Sequence, residues 1–194
     1  MILIVGLGNP GEEYKITRHN TGWIMLDYVL GNKIEWKQSS GTKALCFRNK
    51  IGKKEIEYFK PTTFMNNSGV AVSYAQIKHK LKPKDIVVIY DDIDLPLGSL
   101  KISFNRSSGG HNGLESVIKK VKSQEFVRVR IGIAPSTPSG KTKKPKGEDA
   151  VLKFLLGKFK EDELKELKKL SKKVAEILEV LASDGKDKAM SVYN

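Results

Sequence analysis

At 194 residues the chain is long enough for one well-buried α/β domain, spanning 1–194, and short for two. Apolar residues at 39% and charged residues at 29% describe an ordinary soluble protein, and no apolar run approaches membrane-spanning length. Thirty-five Lys and Arg against 22 Asp and Glu leave a surplus of +13, which favours a polyanionic partner because it draws phosphate backbones in; a lysine-rich surface kept for solubility is the bland alternative.

Ile2-Leu3-Ile4-Val5 reads as a buried strand that ends at Gly6 and empties into a polar loop. Ligands of open α/β sheets sit beyond the carboxyl ends of strands. This loop carries Asn9, Tyr14, Arg18, His19 and Asn20, of which His19 alone has an ordinary pKa suited to a base near neutrality. Gly6-x-Gly8-x-x-Gly11 also matches a dinucleotide-binding fingerprint, which needs a helix starting inside the glycines. Residues 12–20 show no apolar 3.6 period, and Glu12 and Glu13 stand where phosphate would approach, so the nucleotide reading is the weaker one.

Asn20 or Thr21 caps a helix to about Leu30 with Trp23, Leu26 and Leu30 on one face and Gly31 as its stop. Ala44 to Arg48 and Glu55 to Lys60 form a hairpin around Gly52. Residues 60–69 then open a helix from about Ser68 to His79, with Val70, Tyr74 and Ile77 as its apolar face. Ile86 to Tyr90 is the most strand-like run and ends in Asp91-Asp92-Ile93-Asp94, three carboxylates at a strand end. Leu100 to Phe104 alternates like a strand, and residues 105–113 form a Gly-rich loop into a helix with Leu114, Val117, Ile118 and Val121. Val127 to Ile133 is the last strand, with Arg128 and Arg130 on one face. Pro135 to Lys146 reads as a mobile basic loop. A short helix from Glu148 carries Val151, Leu152 and Leu155, and a long one runs from about Lys160 to Ser183.

Cys46 is alone, so no intramolecular disulfide forms and a reducing, cytoplasmic setting is expected; between Leu45 and Phe47 it reads as a buried structural thiol. The N-terminus lacks a signal-peptide layout. His19, His79 and His111 are too widely spaced for a zinc-ligand pattern.

Strand ends thus supply Asn9 with His19, then Asn66, then Asp91, then His111 with Asn112. A carboxylate that accepts an imidazole N–H fixes its tautomer and raises its basicity, and the other ring nitrogen can then deprotonate water. Side-chain amides can stabilise the oxyanion that develops. This set suits hydrolysis by a directly activated water. A serine nucleophile fits less well, because no Gly-x-Ser-x-Gly elbow is present and Ser68, Ser107 and Ser108 lack a strand-Ser-helix setting. His111 follows two glycines and could shape a lid or carry protons.

The sequence resembles the bacterial-type peptidyl-tRNA hydrolases. The motifs are VGLGNPG at 5–11, TRHNTG at 17–22, KPTTFMNNSG at 60–69, DDIDLPLG at 91–98, GGHNGLESV at 109–117, RVRIGI at 128–133 and VLKFLLGKF at 151–159. The resemblance implies a monomeric α/β/α globule around a mixed twisted sheet. It implies hydrolysis of the ester between a peptide and the tRNA 3′-terminal ribose, in the cytoplasm and with no metal or other cofactor. His19 matches the general base and Asp91 the carboxylate that orients it. Asn9, Asn66 and Asn112 match amides that place ester, terminal nucleotide and water, while Tyr14 and Met65 match residues shaping the site. Lys101 and Arg130 match positions that hold an acceptor-end phosphate. Ser103 departs from the pattern at a second basic position, with Arg106 or the Lys141 to Lys146 loop as the candidate substitute. The rivals are a non-catalytic RNA-binding protein on the same scaffold, which would have lost the catalytic set, and a hydrolase of another ester.

Overall fold

In the computed structural model, residues 1–31, 34–39, 41–135 and 142–194 are described. Their strands form one seven-stranded mixed sheet, built around the N-terminal run β1 (Ile2–Gly6). β1 lies parallel to both β4 (Lys54–Pro61) and β5 (Ile86–Pro96). β3 (Ala44–Ile51) pairs antiparallel with β4, and the two-residue β2 (Lys37–Gln38) closes that edge. On the other side β7 (Val127–Ala134) runs parallel to β5, and β6 (Leu100–Phe104) returns antiparallel as the opposite edge. The spatial order is β2-β3-β4-β1-β5-β7-β6.

Both faces of this sheet are covered, which is why β1 is apolar throughout rather than alternating. Ile4 points into a core with Ile24, Met25 and Leu26 of α1 (Thr21–Leu30) and with Leu167, Val174, Ile177 and Leu178 of α5 (Glu161–Ser183). Leu3 and Val5 point the other way, toward α2 (Ser68–Lys78) and α3 (Asn112–Val121). α4 (Glu148–Leu156) precedes α5, and α6 (Lys186–Tyr193) closes the described chain, with its Ala189 in the α1/α5 core. The result is three layers, α/β/α.

Several expectations change. α2 does not bury Val70, Tyr74 and Ile77, which are 47%, 44% and 76% exposed; it buries Ser68, Gly69, Ala71, Val72 and Ala75. The cause is close packing on α3: a Cβ on Gly69 would lie 2.0 Å from the Ser116 carbonyl oxygen, and the Gly69 N–H donates to Ser116 Oγ at 3.0 Å. Only the small-residue face can come that near. Leu152 of α4 is likewise 53% exposed, whereas Leu155 packs inward as expected, with Phe154 beside it. Cys46 is half-buried rather than buried. β5 continues to Pro96, so the acidic run lies within the strand's end, where register shifts between Asp92 and Pro96. Asn20 makes no side-chain cap on α1. Of the basic loop, residues 136–141 lie outside the described residues; beyond them Lys144 pairs with Asp94 at 2.6 Å.

Candidate active site

β1, β4, β5 and β7 are mutually parallel through their pairings, so their carboxyl ends open on one edge of the sheet. The loop after β1 is drawn onto that edge by Gly22 in the first turn of α1. A Cβ there would lie 2.3 Å from the Leu7 nitrogen and 2.4 Å from the Ile89 carbonyl oxygen. The close approach sets the preceding 3₁₀ turn, Arg18–Asn20, over the end of β5 and carries His19 to Asp91.

His19 Nδ1 stands 2.9 Å from Asp91 Oδ2. The other carboxylate oxygen, Oδ1, lies 3.1 Å from His111 Nε2. His111 is the N-cap of α3: its Nδ1 accepts the Leu114 N–H at 3.2 Å. That bond fixes its tautomer, because a ring whose Nδ1 is an acceptor carries its proton on Nε2 and donates it to Asp91. Asp91 therefore bridges two imidazoles, and His19, donating through Nδ1, is left with Nε2 as a basic lone pair. Burial of Asp91 disfavours its charge, but the two imidazoles beside it, His19 first and then His111, outweigh this and hold the carboxyl well below the usual range. Burial also opposes the charged form of His19, and the Asp91 charge and hydrogen bond overcome it, raising His19 above 6.5.

Asn9 is locked on three sides. Its N–H donates to Asn20 Oδ1 and its carbonyl accepts from Asn20 Nδ2, both at 2.9 Å, while its own Oδ1 accepts the Met65 N–H at 2.8 Å. With the oxygen committed, the amide NH₂ is the group Asn9 can offer a substrate. Asn66 and Asn112 are exposed neighbours of two residues in contact: a Cβ on Gly113 would lie 2.3 Å from Met65 Sδ. Tyr14 packs edge-on against Phe64, centroids 6.5 Å apart. Asn9, Met65 and Gly113 are thus linked by contacts, and these bring the loops of Asn66 and Asn112 together.

The route of residues 105–111 differs from the sequence reading. β6 runs antiparallel to β7, with Phe104 opposite Val127, so it ends at the far edge of the sheet and the chain must travel back to reach His111. Arg128 holds this return. It is fully buried and donates to the carbonyls of Ser107, at 2.9 Å, and Arg106. Arg130, on the same face, instead places its Nε 2.6 Å from Asp92 Oδ2. Lys101 lies opposite Arg130 in register, and both line an open cavity of about 600 Å³ with Arg106 and Lys144. Asp91 and His111 close one end of this cavity, and Val151 and Leu155 form part of its apolar wall.

The lock of Asn20 on Asn9 and the bridging role of His111 were not foreseen. Asn20 reads as a helix cap by position, and only the long-range contact with Asn9 reveals its use. His111 carried a signal, standing three residues before a helical Leu and after two glycines. His19, Asp91 and His111 also bring possible metal-ligating atoms within 4.8 Å of one another; here each imidazole is hydrogen-bonded to Asp91.

Comparison with known proteins gives the family and the fold. The family described as peptidyl-tRNA hydrolase matches residues 3–194. A peptidyl-tRNA hydrolase of Thermotoga maritima is 41% identical over 195 residues, covering 100% of this chain and 97% of its own. One from Aquifex aeolicus is 41% identical over 178 residues, covering 91% and 87%. The crystal structure of the enzyme from Acinetobacter baumannii superposes with a TM-score of 0.86 at 28% identity, covering 100% of this chain and 96% of that one. With its full-length match, its shared fold and relatives above 40% identity, the chain belongs to the peptidyl-tRNA hydrolase family.

Proposed function

We propose that the protein hydrolyses the ester joining a peptide to the 3′-terminal ribose of tRNA, with His19 as general base and Asp91 as the carboxylate that orients it. The observation that carries this reading is the Asp91 bridge, which commits His19 Nδ1 and leaves Nε2 free. Nε2 takes a proton from water as the water oxygen bonds to the ester carbonyl carbon. The resulting oxyanion is stabilised by amide donors, Asn9 foremost, each worth roughly 10²–10³ in rate. As the tetrahedral species collapses, the ribose oxygen leaves and recovers the proton from the His19 imidazolium. Asn66 and Asn112 hold the terminal nucleotide and the water, and Tyr14 and Met65 shape the ester pocket.

Lys101, Arg106 and Arg130 form the phosphate-binding wall. Asp92 holds Arg130 through Nε, which leaves the outer guanidinium nitrogens to face a phosphate. One sheet carries these residues, which supports a single domain over 1–194, and the same reading takes the protein to act as a monomer in the cytoplasm. The test is release of labelled N-acetyl-aminoacyl groups from tRNA, run beside unblocked aminoacyl-tRNA and the His19→Ala variant. Cleavage of the blocked substrate alone, reduced by about 10²–10⁴ in the variant while tRNA affinity stays within a few-fold, is the expected result. Tight, salt-sensitive tRNA binding without cleavage would instead select a non-catalytic RNA-binding role.

A further inference from the structure

The 3₁₀ turn that carries His19 is held by a segment about 140 residues downstream. Arg18 N–H donates to the Gly157 carbonyl at 3.0 Å and Phe159 N–H to the Ile16 carbonyl at 2.9 Å, which makes a one-residue antiparallel bridge between Thr17 and Lys158. The Arg18 side chain completes the joint. Its Nη2 lies 2.9 Å from both carboxylate oxygens of Glu163, and its Nη1 donates to the Lys158 carbonyl at 2.9 Å. The guanidinium is stacked over Phe154 and Phe159, 4.7 and 5.2 Å from their centroids. Glu163 is itself fixed, because Oε2 also accepts the Lys160 N–H at 2.7 Å at the start of α5.

We infer that Arg18 and Glu163 are positioning residues for the hydrolysis: they hold the turn so that His19 stays on Asp91 with Nε2 toward the substrate, without touching substrate themselves. This rests on the reading of His19 as the base. The geometry favours positioning over stability alone, because Arg18 is adjacent in sequence to His19 and its own carbonyl accepts the Thr21 hydroxyl at 2.6 Å. Rotation of the turn would therefore carry the imidazole with it. A planar fork between two aromatic rings also fixes direction as well as distance, which a lysine cannot do.

The test compares Arg18→Gln, Arg18→Lys and Glu163→Gln with the parent protein. Four quantities are followed: kcat and KM on N-acetyl-aminoacyl-tRNA, the pH–rate profile, the NMR titration midpoint of the His19 ring, and the melting temperature. In Arg18→Gln, kcat should fall about tenfold with KM within twofold, short of the ~10²-fold that a 1 Å misplacement can cost. The His19 midpoint should drop toward 6.5 as the Asp91 contact loosens. Arg18→Lys and Glu163→Gln should fall between that variant and the parent. A lower melting temperature with unchanged kcat and His19 midpoint would overturn the inference, as would a raised KM with kcat retained, which marks a substrate contact. If Arg18→Gln does not fold, Glu163→Gln decides by the same readings. Activity retained in His19→Ala would sink the general-base reading instead, and the NMR midpoint would still report whether Arg18 sets the His19 environment.

Discussion

A carboxylate shared by two imidazoles makes the site's pH response calculable in sign. His19 is raised above 6.5, so kcat/KM should climb with pH through an inflection above that value, as the neutral base is formed. Asp91→Asn keeps a group at the same place but removes the charge that raises His19. The inflection should move to lower pH and the plateau rate should fall, as a pH–rate profile would show. An unmoved inflection would separate Asp91 from His19 in function. Stability follows the linked signs. The raised His19 contributes below 6.5, and its contribution is lost as pH rises through the folded pKa; the depressed Asp91 contributes above its ordinary value near 3.8, and its contribution is lost as pH falls. His111→Ala removes both a helix cap and one of the two donors to Asp91. It should cost about 1 kcal/mol in urea unfolding through the cap and about tenfold in kcat through the lost bond to a charged group.

Among the elements, the junction of α2 and α3 is one of the tightest points near the site. Gly69→Ala would force a Cβ onto the Ser116 carbonyl, 2.0 Å away, with backbone rather than a flexible side chain in the path. Overpacking of this kind should lower stability by about 3 kcal/mol, read as a shift in the urea midpoint. The same junction explains why the α2 face was misread from the sequence. Val70, Tyr74 and Ile77 have the helical spacing of a buried stripe, but a sheet and a neighbouring helix at this distance admit only Gly, Ala, Ser and Val. Periodicity reports apolarity and not clearance. The strands other than β2, and α3 and α5, were legible because their apolar runs face covered surfaces, whereas α1 buries Ile24 and Met25 beside Leu26 and leaves Trp23 and Leu30 half-buried. The pairing of Asp91 with His19 was legible because strand ends predict where polar side chains converge. What stayed hidden were contacts closed across the chain: Asn20 on Asn9, Arg128 on the carbonyls of Arg106 and Ser107, and Arg18 on Glu163.

For the whole molecule, the surplus of +13 is a surface property that the folded chain spends unevenly. Arg18 and Arg128 are taken up internally, while Lys101 and Arg106 stay exposed and Arg130 half-buried at the cavity. Binding of tRNA should therefore weaken linearly in a log–log plot against salt. Lys101→Ala and Arg130→Ala should each flatten that slope by about 0.7–0.9, whereas a distant lysine on α5 should leave it unchanged. The topology carries one more consequence. β1 is laid down first but sits in the middle of the sheet, between strands made later, and the turn bearing His19 is gripped by residues 157–163. A protein under synthesis is itself a peptide esterified to tRNA. Until that late segment leaves the ribosome, the newborn chain holds its proposed base without the support that aims it, and the site becomes whole only after the start of α5 has emerged.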